Sequence, residues 1–234
     1  RRAGVPKIIS RRGTALPVHN NVVNRMLFRR VITHIVTNSQ ATKKLLLERN
    51  PGMVDEKKIH VIYNGLDLEQ YDQHPSQPVY HAREGELVLG NAGRFVEQKG
   101  HQYLLEVAQK LKRKHIPFKL LLAGNGKLEP SIRQQVKKEG LEEHIIFTGF
   151  QSNIRSFMES IDLFLLTSLW EGFGYVIAEA MAAHKPVLAF NLSSNPEIID
   201  DRTNGYLLPF PDTDKLTKRI IYLYKNPNLR HHLG

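Results

Sequence analysis

Two rhythms of apolar and polar positions alternate along this chain. After residue 86, six short apolar runs, at 87–92, 118–123, 144–148, 161–166, 186–190 and 206–208, read as strands buried on both faces. Helical spacing lies between and after them, at 101–114, 129–139, 153–160, 175–183, 196–200 and 213–224. In the first of these Leu104, Leu105, Ala108 and Leu111 fall on one stripe. In the second Pro130 sits in the first turn, where a missing N–H costs nothing. Strand and helix in strict alternation predict an α/β fold, a doubly wound parallel sheet with helices on both faces. Before residue 70 the pattern is shorter. Strands are expected at 5–10, 31–37 and 59–63, a turn at Arg11-Arg12-Gly13-Thr14, and helices at 20–30, capped by Asn20 or Asn21, and 41–48. Three strands are too few for a complete domain of this kind. Between Gln70 and Glu86 the chain carries Pro75 and Pro78 and no apolar periodicity, which reads as a linker. The division is therefore a partial Rossmann-like unit at 1–70, a linker at 71–85 and a Rossmann-like domain at 86–234.

In such a sheet, ligands bind at the carboxyl ends of the strands, near the point where strand order reverses. The loops 93–100, 124–126 and 167–174 all follow strands, so they are expected on one edge. The last carries Glu171 and, seven residues further on, Glu179, around Gly172-Phe173-Gly174. A helix starting near Gly174 aims unpaired N–H groups at that loop and favours an anion there. An ionised carboxylate accepts two hydrogen bonds from a vicinal diol. The pair therefore suits a ligand with phosphate at one end and hydroxyls elsewhere. Arg94 and Lys99, five residues apart and flanked by Gly93 and Gly100, can straddle a diphosphate. Neither G-x-G-x-x-G nor G-x-x-x-x-G-K-[ST] is present, which speaks against NAD or P-loop chemistry.

Composition narrows the partners. The chain has no cysteine, so disulfides and thiolate metal sites are excluded, and no run approaches the ~18 apolar residues of a membrane span. The 11 histidines show no ligand spacing, no Asp-x-Asp stands in a loop, and the side chains of adjacent Asp200 and Asp201 diverge. No metal is expected. No signal peptide is visible, and the chain starts at Arg1-Arg2. The net charge of +10 is concentrated early. Residues 1–80 hold 13 Lys/Arg against 6 Asp/Glu, and residues 81–234 hold 20 against 17. Arg1, Arg2, Lys7, Arg11, Arg12, Arg25, Arg29 and Arg30 supply most of the excess. An anionic membrane surface, a phosphorylated substrate or a plainly solvated face would each explain it. No nucleic-acid-binding signature accompanies the charge, so nucleic acid is not an expected partner.

The unbroken run from Glu171 to Ala182, E-G-F-G-Y-V-I-A-E-A-M-A, resembles the retaining GT-B glycosyltransferases of family 4, the glycosyl transferases group 1. The resemblance implies metal-independent transfer of a sugar from a nucleotide-diphosphate sugar, UDP-linked by preference, with retention of configuration. It implies an acceptor that is a sugar, lipid-linked saccharide or glycolipid, as in cell-envelope polysaccharide synthesis. The expected place is the cytoplasm, or the periphery of the membrane's inner face. By the same resemblance Glu179 holds the ribose diol, and Glu171 lies near the transferred sugar as a catalytic group. Arg94 and Lys99 hold the diphosphate and stabilise it as it leaves. Backbone N–H groups of Gly172, Phe173 and Gly174 are candidates for sugar and phosphate contacts, and Gly124, Asn125 and Gly126 line the nucleotide. Phe150 reads either as a neighbour of the base or as a core aromatic. His184 stands where relatives carry glycine, and the loop 191–197 replaces their paired glycines. The stretches R-R-G-T-A-L-P, N-S-Q-A-T-K and V-I-Y-N-G-L-D look like the last third of an acceptor domain, while that domain's early glycine-rich loop and catalytic histidine have no counterpart. The chain thus reads as a piece of a larger enzyme that binds donor. A nucleotide-sugar epimerase and a non-enzymatic binding module are the other readings.

Overall fold

Residues 4–14, 16–73 and 76–234 are described by a computed structural model. Arg1 and Arg2 of the basic cluster, Ala15 of the R-R-G-T-A-L-P stretch and Pro75 of the expected linker lie outside the described residues.

The early part forms a three-stranded parallel sheet in the order β1-β2-β3, with β1 at Ile9–Arg12, β2 at His34–Thr37 and β3 at Ile59–Val61. Arg11 and Arg12, expected in a turn, belong to β1. Among the described residues that strand pairs only with β2, and at this edge Arg11 stays in water while Arg12 is half-buried. Helix α1, Val22–Met26, is capped by the Asn21 side chain, which accepts from Asn24 N–H at 2.8 Å. None of its residues is buried, and it loosens into a π-helical turn at Leu27–Val31 that takes up the start of the expected second strand. Ser39 caps α2, Gln40–Glu48, by accepting from Thr42 N–H. Phe28, Ile32, Ile35, Leu46, Met53 and Ile59 close a small core between these elements. A further helix, α3 at Leu68–Gln73, occupies the start of the segment read as linker. Tyr71 is its one buried residue, so it carries no periodicity to detect.

The second part is the six-stranded sheet that alternation predicts, all parallel. Its strands are β4 (Leu87–Ala92), β5 (Phe118–Ala123), β6 (Ile145–Gly149), β7 (Leu163–Leu166), β8 (Val187–Phe190) and β9 (Gly205–Leu208), in the order β6-β5-β4-β7-β8-β9. The period of two sorts side chains to both faces. Leu87, Leu89, Leu120, Leu122, Leu163, Leu165 and Leu188 enter one core with α4 (His101–Arg113), α5 (Glu129–Lys138) and, late in the chain, α8 (Thr213–Lys225). Val88, Leu121, Phe164, Leu166 and Val187 enter the other with α6 (Ile154–Glu159) and α7 (Tyr175–Ala182). The expected helix at 196–200 is a single 3-10 turn, Asn195–Glu197. A closing helix beyond the predicted end, α9 at Pro227–Leu233, seats Leu233 in the first core. Among the described residues no helix is long and apolar enough to cross a membrane.

Candidate functional site

Strand order reverses between β4 and β7, and the chain leaves both strands at the same edge of the sheet. A cavity of about 730 Å³ opens there. Gly93, Arg94, Gln98 and Lys99 line it from the loop after β4, Gly124 and Asn125 from the loop after β5, and residues 170–176 with Glu179 from the loop after β7 and from α7. The opposite wall is Gly13, Thr14, Leu16, Asn38 and Asn64 of the three-stranded unit. The three loops expected on one edge do share it. Phe150 lines the cavity at 72% exposure, so it is not a core aromatic. Gly126 stands outside the lining. A side chain there would lie 2.6 Å from the Phe95 carbonyl oxygen, so its bareness keeps two loops pressed together.

Hydrogen bonds lace the loops into one body. Thr167 Oγ1 donates to the Lys99 or Gly100 carbonyl, each at 3.2 Å. Leu169 N–H donates to the Gln98 carbonyl, and Gln98 Nε2 returns a bond to the Trp170 carbonyl, both at 2.8 Å. Gly124 adopts φ +125°, and a Cβ there would fall 2.0 Å from the Gly93 carbonyl oxygen. Through these contacts Lys99 Nζ meets Glu171 Oε1 at 2.6 Å, with only 13% and 9% of the two side chains exposed. The two residues read separately from sequence as cation and carboxylate are therefore each other's partner. The Glu171 carbonyl is held in turn by Ser193 Oγ at 2.6 Å and Ser194 Oγ at 3.3 Å.

Arg94 projects into the cavity as an exposed cation with no ion pair among the described residues. Gly174 (φ +75°) starts α7, whose first residues Tyr175 and Val176 line the cavity, so their helix-end N–H groups lie at its wall. Glu179, one turn further in, has its carboxyl pushed up to about 7 by burial. Behind Lys99, buried His101 is held down to about 4, first by burial and then by the lysine's charge, so it is a neutral ring near neutral pH. Among the described residues no cluster of three His, Asp or Glu could hold a metal ion.

The two units touch at the cavity's rim. Tyr63 and Phe173 rings are 6.3 Å apart, and Thr42 Oγ1 donates to the Gly172 carbonyl at 3.4 Å. A Cβ on Gly172 would stand 2.2 Å from the Gly13 carbonyl oxygen. Asn38, Asn64, Gln98, Ser193 and Ser194 belong to the site's frame and were not singled out from sequence. Nothing in spacing marks a neutral polar side chain whose partner lies tens of residues away. His184 is explained by its backbone, which closes α7 in the left-handed conformation at φ +55°, the ground on which glycine is favoured at a helix end.

The chain is similar to known proteins in both sequence and fold. N-acetyl-alpha-D-glucosaminyl L-malate synthase of Bacillus anthracis is 31% identical over 81% of this chain and 50% of its own length. An uncharacterized glycosyltransferase of Methanocaldococcus jannaschii is 32% identical over 98% of this chain and 62% of its own. Anabaena HepE, solved with UDP and glucose, superimposes with a TM-score of 0.81 at 22% identity, over 97% of this chain and 64% of that one, which places the fold among GT-B glycosyltransferases. The chain spans about half the length of the curated relatives it matches. Residues 1–70 match the model for Glycosyltransferase Family 4, and with residues 72–234 matching that for Glycosyl transferases group 1, the chain belongs to that family.

Proposed function

We propose that the cavity binds a nucleotide-diphosphate sugar, UDP-linked by preference, and that the chain is the donor side of an enzyme that transfers the sugar with retention of configuration. One observation carries the reading: Arg94, Lys99, Glu171, Glu179 and the N-terminus of α7 converge on a single cavity. Breaking a bond from sugar to diphosphate builds negative charge on the leaving phosphate. Arg94, Lys99 and the first N–H groups of α7 are cationic or dipolar groups at that cavity, and they would stabilise the charge without a metal. Glu179 takes the ribose diol, and Glu171 takes the sugar's hydroxyls and steadies positive charge at the anomeric carbon. Gly172 and Phe173 offer backbone N–H groups, and Phe150, exposed at the wall, offers a ring for the base. In this reading residues 1–70 contribute the acceptor side, 71–85 connect, and 86–234 bind donor. HepE, of the same fold, was solved with UDP and glucose.

A thermal-shift panel of UDP-, GDP- and ADP-sugars tests it. UDP-glucose at a hundred times its Kd should stabilise the protein by about 2.7 kcal/mol, with smaller shifts for the others. No shift with any of the three would end the proposal. Product analysis with donor alone then separates hydrolysis and epimerisation from binding.

The acceptor, lipid-linked or glycolipid in this reading, would be met at a membrane's inner face. Val22, Val23 and Met26 are exposed on α1, Val22 at 83%, beside Arg25, and Arg11 and Arg12 lie on the edge strand leading to the cavity. Pelleting with vesicles of anionic lipid should carry the protein down, less so in high salt. Arg11→Glu with Arg12→Glu should leave it in the supernatant. Equal pelleting of variant and parent would remove these arginines from the account.

A further inference from the structure

The loop at 191–197, which sequence reading left without a role, ends in a side chain that reaches the other unit. Glu197 lies after β8, in the six-stranded half. Its Oε2 accepts from Gln40 N–H and its Oε1 from Ala41 N–H, both at 2.7 Å, and Oε2 also accepts from Tyr63 Oη–H at 3.0 Å. Gln40 and Ala41 are the first residues of α2, whose N–H groups have no partner within the helix and carry the positive end of its dipole. One half-buried carboxylate thus joins both sheets by three hydrogen bonds, two of them to backbone. The same turn runs back through buried Asn195, whose Nδ2 donates to the Phe190 carbonyl, to Ser193 and Ser194 on the Glu171 carbonyl. An unbroken chain of bonds therefore leads from α2, across the rim, to the residue whose carboxylate meets Lys99.

We infer that Glu197 is a positioning residue, latching the three-stranded unit onto the donor side and, through the 193–195 turn, fixing Glu171 for contact with the transferred sugar. The latch itself is a matter of geometry. Its link to sugar recognition rests on the proposed function. None of the three bonds would survive separation of the units, because charge-assisted hydrogen bonds of 2.7 and 3.0 Å have no slack. Opening the cleft therefore frees the turn that holds Glu171, and closing it restores the hold.

The chain has no cysteine, so two can be placed without background. Lys44→Cys on α2 and Lys218→Cys on α8, both exposed, take spin labels whose separation reports the angle between the halves. The parent should give one narrow distance distribution, and Glu197→Ala a broad one. Glu197→Gln, which keeps the reach but loses the charge and one acceptor, should fall between and serves if the alanine variant folds poorly. Titration calorimetry reads the second half of the inference. With Glu197→Ala, UDP affinity should hold within about twofold while the ratio of UDP-glucose to UDP affinity falls about fivefold or more. Unchanged distances in both variants would overturn the latch. Broadened distances with an unchanged ratio would overturn the link to Glu171. If the parent binds no UDP at all, the proposed function fails, and the distance measurement still decides the latch.

Discussion

Lys99→Ala is expected to weaken UDP binding by at least about tenfold and to destabilise the fold by about 3 kcal/mol. The two losses have different origins. Among the described residues Lys99 is one of two cations lining the cavity, so a diphosphate bound there as proposed would lose a charge-assisted partner. The stability loss comes from Glu171, which is 7% exposed and would be left as a buried carboxylate facing an empty space. Removing one partner of a buried pair costs more than removing both, because the survivor keeps its desolvation penalty and loses its compensation. Lys99→Ala with Glu171→Ala should therefore recover part of the stability, read by urea unfolding, while UDP affinity by calorimetry stays low. A double variant as unstable as the single one would show that the stranded charge is not the cause. An unchanged UDP affinity in Lys99→Ala would detach the lysine from the diphosphate.

Glu179→Gln is expected to trade ligand affinity for stability, and pH tells the two apart. Burial raises the Glu179 carboxyl from 4.5 to about 7 in the folded chain. A raised acid pKa means the folded state prefers the proton, so its favourable contribution is complete below about 4.5 and is lost as pH rises through 7. Glutamine carries no such dependence. The variant should match the parent at pH 4.5, gain on it between pH 4.5 and 7, and keep a constant lead above. Affinity runs the other way, since a ribose diol needs the ionised acceptor. Between pH 8 and pH 6 the ionised fraction falls about tenfold, and UDP-glucose affinity should fall with it in the parent and stay low and flat in the variant. UDP-glucose is the right probe because, unlike UDP, its phosphates do not titrate in this range. A parallel pH profile in both proteins would remove Glu179 from the diol.

Sequence pattern carried the six-stranded sheet almost residue for residue. β4 and β5 lie where the apolar runs put them because strands covered on both faces leave little choice of side chain. The loops of the site were legible for a related reason: Gly-rich turns after such strands have one edge to occupy. Elements with little to bury were harder to read. Helix α3 hangs on Tyr71 alone, and β1 is an edge strand whose arginines look like loop residues. The pairing of Lys99 with Glu171 spans 72 positions and became visible only with the β4–β7 junction in place. Glu197 was hidden more deeply, since its partners are backbone N–H groups that every sequence possesses.

At Gly172 the two halves meet bare backbone against bare backbone, with Gly13 on the far side and no room for even a methyl group between them. The seam works as a gasket of zero thickness. Any side chain installed at position 172 would act as a shim that sets the resting gape between the halves.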